Sequence, residues 1–313
     1  MVSFLRLNVM IRGYLNYCLV KWLLVVILLT TTLALTACNV GATAPPETAT
    51  MPPTPAPAAE LKIHFIDVGQ GDSILVDLGE TEILIDGGGK SPGVVAYLND
   101  HVDGVLEVVI ATHPHADHIG GLIAVLGAFE VWEIWHNNDI SNSQTYAEFI
   151  AAVQAEGAEL HIGRRGNEID AGELTFTILN PETLAGTTND NSIILSLSYG
   201  EVDFLFTGDA GYEAESSILT AGIVPDVEIL KVGHHGSRTS SSPVFLASAS
   251  PEVAIYMAAE GNSYGHPHEE TITALMQVGA EIYGTDVYGT IIVTTDGETY
   301  ETLTSSTVDL SIR

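Results

Sequence analysis

The stretch "IATHPHADHIGG", Ile110–Gly121, places three histidines and an aspartate within six residues, directly after an apolar run. His113 and His115 are two positions apart, and in extended backbone such residues project to the same side. Both imidazoles can therefore address one ion. The chain then turns, so that Asp117 and His118 can address a neighbouring position. Imidazole and carboxylate suit zinc, and also manganese or iron. A cation with an open position lowers the pKa of bound water toward neutrality, which makes hydrolysis by metal-activated water the expected chemistry. The bland alternative is a solvated loop. Four ligand-type side chains at the end of one strand argue against it.

The elements around this motif read as follows. "LKIHFIDVG" and "DSILVDLG" are strand patterns of a hairpin turning at Gln70-Gly71, and "TEILIDGGG" is a third strand ending in glycines. Residues 93–101 read as a helix. "GVLEVVIAT" is nearly continuous in apolar residues, as expected of a strand buried on both faces, and it delivers the histidine motif. "GGLIAVLGAF" reads as a helix, "EVWEIWHN" as a strand and 143–156 as a helix. "ELTFTILNP", "NSIILSLSYG" and "VDFLFTGD" are strands. Helix 211–221, strand "DVEILKVG", the "HHGS" loop, a helix around 243–249, strand "VAIYMAA", a loop at 260–268 and helix 269–278 follow. Strands near 281–285, 289–295 and 299–304 close the chain. Strands come first in runs and then alternate with helices, and this happens twice. Such a pattern predicts an α/β fold of two mixed sheets packed together with helices outside. No linker interrupts 61–304, which is read as one domain, with 305–313 as a tail.

The chain has 313 residues, 46% hydrophobic, with 40 acidic against 10 basic residues and a formal net charge of −30. Such a surface disfavours non-specific nucleic-acid binding. Arg6, Arg12 and Lys21 precede the apolar run "WLLVVILLTTTLALTAC". A positive flank, a short apolar core and small residues before Cys38 make residues 1–38 a signal peptide. Met10 is an alternative start to Met1. Leu35-Thr36-Ala37-Cys38 resembles a bacterial lipobox, which implies lipidation of Cys38, a membrane anchor and an extracytoplasmic location. The alternative is an uncleaved membrane anchor. Removing residues 1–37 takes away three basic and no acidic residues, leaving 7 − 40 = −33. The two cysteines are Cys18 and Cys38, so the domain carries no thiolate ligand. Residues 39–60 are a Pro/Ala/Thr-rich tether, too poor in core formers to fold.

"THPHADHIGG" is similar to the HxHxDH signature of the metallo-β-lactamase superfamily. "HFIDVGQGDSILV", "ILIDGGG", "FLFTGDA", "ILKVGHHGSRTS" and "NSYGHPHEETI" together resemble the external domain of ComEC-type DNA-uptake proteins and their free-standing relatives. The resemblance implies a four-layer αβ/βα sandwich holding one or two ions, Zn²⁺ or Mn²⁺, at one edge. It implies that Asp209 of "TGD" bridges two metals and that one histidine of "GHHG" is the last ligand. His234, which directly follows the glycine, is favoured over His235. It further implies that Asp86 of "IDGG", and with less support Asp67, orients ligands without binding metal. His266 and His268 of "YGHPH" are expected near the mouth of the site, as substrate contacts or a proton donor.

Lys231 and Arg238 flank "GHHGS" and are expected to neutralise an anionic substrate; the alternative for Lys231 is a paired structural charge. The glycines Gly69, Gly71, Gly87 and Gly88 fit tight turns and close backbone approach. His64, His136 and His161 read as ordinary core or surface residues. One departure stands out. Dinuclear members carry a further histidine where this chain reads "NDNSIILSL", with Asn191 and Ser192, so one metal position is expected to be under-liganded. The expected activity is hydrolysis of a phosphoester, DNA and nucleotides included. Attack on a lactone, β-lactam or other carboxylic ester, and a non-catalytic metal-binding relative, are the rivals.

Overall fold

The computed structural model describes residues 59–91 and 93–306. The signal segment, Cys38, the tether up to residue 58 and the end of the tail lie outside the described residues. Strands β1 (Leu61–Phe65), β2 (Ile74–Asp77) and β3 (Glu82–Ile85) pair antiparallel in sequence, and β4 (Val105–Ala111), β5 (Glu130–His136) and β6 (Glu159–Ile162) extend the sheet in parallel. The second half repeats the plan. Strands β7 (Glu168–Ala171), β8 (Leu174–Asn180), β9 (Ile194–Tyr199) and β10 (Val202–Phe206) are antiparallel, and β11 (Ile229–Lys231), β12 (Val253–Tyr256) and β13 (Glu281–Gly284) follow in parallel. Strands β14 (Ile291–Thr295) and β15 (Tyr300–Thr304) return to pair beside β1. The result is an eight-stranded sheet, β15-β14-β1-β2-β3-β4-β5-β6, and a seven-stranded sheet, β13-β12-β11-β10-β9-β8-β7.

Period-2 alternation sorts the side chains into three apolar layers. Phe65, Ile85 and Ile110 of the first sheet meet Phe176, Phe204 and Phe206 of the second between the sheets. The opposite face of the first sheet packs under helices α1 (Val95–Leu98), α2 (Ala116–Ile119), α3 (Leu122–Val125) and α4 (Gln144–Glu156) through Leu98, Leu122 and Phe149. The outer face of the second sheet packs under α5 (Tyr212–Ala221), α6 (Pro243–Ala249) and α7 (Glu269–Val278) through Ile218, Phe245 and Leu275. A short helix, α8 (Thr285–Tyr288), joins β13 to β14. This is the expected four-layer sandwich of mixed sheets with outer helices.

Three local differences have physical reasons. The helix expected over 93–101 contracts to Val95–Leu98, bounded by Gly93 at φ +82° and by the polar run Asn99–Asp100. The hairpin turn expected at Gln70-Gly71 is a longer loop between Phe65 and Ile74, and this loop carries Asp72 to the site. Strands β6 and β7 were not anticipated: they are sheet-edge strands, and the burial of "ELHI" lacks any buried position that would mark it.

Candidate metal centre

Parallel strands place their C-terminal ends on one edge. β10 and β11 pair in parallel, so Asp209, three residues past β10, and the Gly233–Gly236 turn past β11 emerge side by side. Across the sandwich β4 ends at Ala111, and the histidine motif follows at once. His115 is extended (φ −76°, ψ 149°) and caps α2, whose first turn carries Asp117 and His118. The two sheets therefore bring His113, His115, Asp117, His118, Asp209, His234 and His235 together.

Asp209 is buried and sits between two sets of nitrogens. Its Oδ1 lies 3.2 Å from His118 Nε2 and 3.3 Å from His235 Nε2, while His235 Nε2 lies 3.5 Å from Asp117 Oδ2. Its Oδ2 lies 3.7 Å from His113 Nε2. His113 Nε2 is in turn 3.0 Å from His115 Nδ1. His118 Nε2, His235 Nε2 and Asp209 Oδ1 are buried and have no hydrogen-bond partner. An orphaned buried polar atom costs about 1–3 kcal/mol, and three aimed at one point fit a cation. One position then draws on His118, His235 and Asp209 Oδ1, grouped with Asp72, and Asp117 Oδ2 reaches it beside His235 Nε2. The neighbouring one has His113, His115 and Asp209 Oδ2, with His234 Nε2 as near to that oxygen, 3.7 Å, as His113 Nε2. A set of imidazoles and carboxylates suits zinc or manganese.

The remaining ring nitrogens are held from behind. Asp86 is fully buried with φ +57°. Its Oδ1 accepts the Thr112 N–H at 2.8 Å, and its Oδ2 accepts the Thr112 hydroxyl at 2.7 Å and His118 Nδ1–H at 2.7 Å. Thr112 Oγ1 lies 3.1 Å from His113 Nδ1. One carboxylate thus directs the Nε2 atoms of two histidines toward Asp209, the arrangement that fixes tautomer and ring orientation at metal sites. Asp72 serves His235: its Oδ1 lies 3.2 Å from His235 Nδ1 and its Oδ2 2.7 Å from Lys231 Nζ. Gly71 lets this loop approach, since a Cβ there would lie 2.1 Å from the Asp117 carbonyl oxygen. Gly87 admits α3 in the same way, with a Cβ 2.7 Å from Leu122 N.

Electrostatics follow the geometry. Burial opposes charge on His118, but Asp209 and Asp86 override it and hold its pKa well above the ordinary value. Burial likewise opposes charge on His235, and Asp209, Asp117 and Asp72 push it well up. Burial, then His118, pushes His113 well down. Burial raises Asp209, yet His235 and His118 hold it well below the usual carboxylate range. A field that retains protons on two imidazoles is suited to a divalent cation, whose binding would release those protons.

Several expectations need correction. His235 is the buried histidine grouped with Asp72, His118 and Asp209, so both histidines of "GHHG" and not the favoured His234 alone face Asp209. His234 is partly exposed, with Nε2 3.7 Å from Asp209 Oδ2. Lys231 does not face substrate: its side chain is 0% exposed, locked to Asp72 and to the Val232 carbonyl. Arg238 points away into an exposed pair with Glu270. Asp67 orients no ligand; it is exposed and accepts the Gly69 N–H. His268 does not line the cavity: its Nδ1 accepts the Arg238 N–H and its ring packs against His266. His266 does line it. Where a further histidine was missed, Ser192 Oγ accepts the Asp209 N–H and Asn191 donates to Asp139. His136 is buried at the end of β5, and His161 stacks on Trp135, away from the centre. His64 pairs with the Tyr97 hydroxyl. The sequence reading missed Asp72 and Thr112. A carboxylate between glycine and serine in "GQGDS" was the available signal for the first.

A cavity of about 350 Å³ opens over this centre, lined by Gln70, Asp117, Asp209, His235, Tyr264 and His266 among others. A second, of about 550 Å³, adjoins it across His115 and His234.

Fold and donor set define a metallo-β-lactamase domain: residues 66–259 match the model described as the metallo-beta-lactamase superfamily, and the chain belongs to that family. Within it the chain is similar to ComE operon protein 3 of Bacillus subtilis, 28% identical over 260 residues, covering 76% of this chain and 33% of that protein. It is also similar to competence protein ComA of Neisseria gonorrhoeae, 31% identical over 247 residues, with 76% and 33% covered. The chain spans about a third of the length of these relatives. Among solved structures, the metallo-beta-lactamase fold protein YhfI of Bacillus subtilis superposes with a TM-score of 0.52 at 16% identity, covering 75% of this chain and 100% of that one, and has the same fold.

Proposed function

We propose that the protein is an extracytoplasmic, lipid-anchored hydrolase of phosphoesters that uses one or two divalent cations, zinc or manganese. The observation that carries this reading is Asp209, whose two oxygens face separate nitrogen sets, His118 with His235 and His113 with His115. When bound, such cations polarise a phosphoryl oxygen and lower the pKa of water. The chain's own residues do the rest. Asp86 and Asp72 fix the ligand imidazoles. Asp117 lines the cavity and offers a carboxylate acceptor for the proton of attacking water. His266 lies across the cavity with its pKa lowered to about 4 by burial and by His235 and His234. It therefore meets substrate as a neutral imidazole and not as an acid. The resemblance to DNA-uptake proteins supports the phosphodiester as the bond cleaved. The lipobox supports the anchor, and Cys38→Ala should abolish fatty-acid labelling and membrane fractionation.

The test is metal analysis joined to a substrate panel of bis-p-nitrophenyl phosphate, a chromogenic β-lactam and a lactone. The expected result is bound metal and phosphodiester hydrolysis alone, lost with a chelator and restored by Zn²⁺ or Mn²⁺. Hydrolysis of the lactone or lactam without the phosphodiester, or chelator-resistant activity, overturns it.

A further inference from the structure

The charge around the centre narrows the substrate. Six lysines and arginines occur among the described residues. Five are committed to carboxylates: Lys231 inside the fold with Asp72, and Lys62, Lys90, Arg165 and Arg238 with Glu60, Glu148, Glu182 and Glu270. The sixth, Arg164, donates to the carbonyls of Asn137 and Gly163. None lines either cavity beside the metal centre. Asp190 and Glu213 line the larger one instead. Beyond the one phosphate that bound metal would meet, a strand of nucleic acid laid across this edge would bring further phosphates beside Asp190 and Glu213, with no side-chain cation lining either cavity to replace its counterions.

The smaller cavity offers a different contact. Tyr264 is 63% exposed, and its ring is stacked on His266 at 5.6 Å and 21°. Both line the space above Asp117 and His235. An exposed aromatic face stacked on a second ring receives a planar group, a contact worth about 1–3 kcal/mol per nucleic-acid base.

We propose that the substrate is a compact phosphodiester with a single negative charge and an aromatic group, the size of a nucleoside ester, and that polyanionic nucleic acid is a poor substrate. This rests on the phosphoester reading above. The phosphate lies over Asp117 and Asp209, and the planar group stacks on Tyr264. Glu213 and Asp190 repel a continuing strand.

The experiment compares thymidine 5′-(p-nitrophenyl phosphate) with a fluorescein-labelled single-stranded oligonucleotide on the metal-loaded full chain, from low salt to about 0.3 M. The small diester should turn over faster, with little salt dependence. Oligonucleotide binding, read by fluorescence anisotropy, should be weak and should strengthen with added salt, opposite to the usual fall. Glu213→Lys should strengthen it. Tyr264→Ala should raise KM for the small diester by about 5–100-fold with a small change in kcat, and Tyr264→Phe should restore KM. Faster cleavage of the oligonucleotide with binding that weakens as salt rises, or an unchanged KM in Tyr264→Ala, overturns the inference and leaves the phosphoesterase reading standing. Turnover of the lactone or lactam with neither phosphodiester cleaved overturns both.

Discussion

Replacing Lys231 by Met removes the cation of a pair whose members are 0% and 2% exposed and 2.7 Å apart. At an effective dielectric constant of about 20, two unit charges at that distance attract by roughly 6 kcal/mol, most of which offsets desolvation. Deleting one partner leaves the other charge buried and alone, at a cost of about 3–5 kcal/mol. For a domain of this size that lowers Tm by on the order of 10 °C. Asp72 then relieves itself by protonation or displacement, and His235 Nδ1 loses its carboxylate. Loss of such a partner weakens metal binding by about 10–100-fold. The double variant Lys231→Met/Asp72→Asn keeps an oxygen for His235 and removes the orphaned charge, so it should recover most of the stability and part of the affinity. Calorimetry of unfolding and competitive metal titration read the two effects separately. If Lys231→Met keeps both Tm and metal affinity and loses only turnover of anionic substrates, Lys231 faces substrate and the buried-pair account is wrong.

Asp209→Ala should lose at least one equivalent of metal and activity by a factor of about 10³ or more, whereas His268→Ala should change metal content little; equal metal content in wild type and Asp209→Ala would refute the bridging role. The Glu82 carboxyl is pushed up to about 7, chiefly by burial, from 4.5. Its folded-state pKa is thus raised, so its contribution is greatest below the unfolded value and is lost as pH rises through the folded one. Glu82→Gln should therefore stabilise by about 1–3 kcal/mol at pH 8 and by almost nothing at pH 4, as read by denaturant unfolding; an equal gain at both would sink the assignment.

The sandwich was legible because its strands alternate or run apolar and because the two halves repeat one order of elements. The histidine motif and Asp209 were legible for a local reason: each immediately follows a strand, where parallel neighbours share an edge. His234 and His235 could not be separated that way. Both take left-handed backbone, φ +48° and +56°, so neither strand nor helix parity decides which ring turns inward. Lys231 was open to a better reading. It shares the parity of Ile229, which packs between the sheets, while Leu230 and Val232 face the helices. A lysine on the inner parity meets a buried partner, and that partner, Asp72, comes from a loop distant in sequence. β6 and β7 were not legible because each alternates over four residues alone, too short a run to fix a period.

The side chains of the centre come from both sheets: His113, His115, Asp117 and His118 follow β4, and Asp209 and His235 follow β10 and β11. A bound cation is therefore a rivet across the seam of the two halves. Neither half alone presents a complete donor set, so the ion favours only the assembled sandwich, by about 2.7 kcal/mol at a free concentration of one hundred times Kd. Metal supply would then bear on the stability of the folded chain as well as on its chemistry.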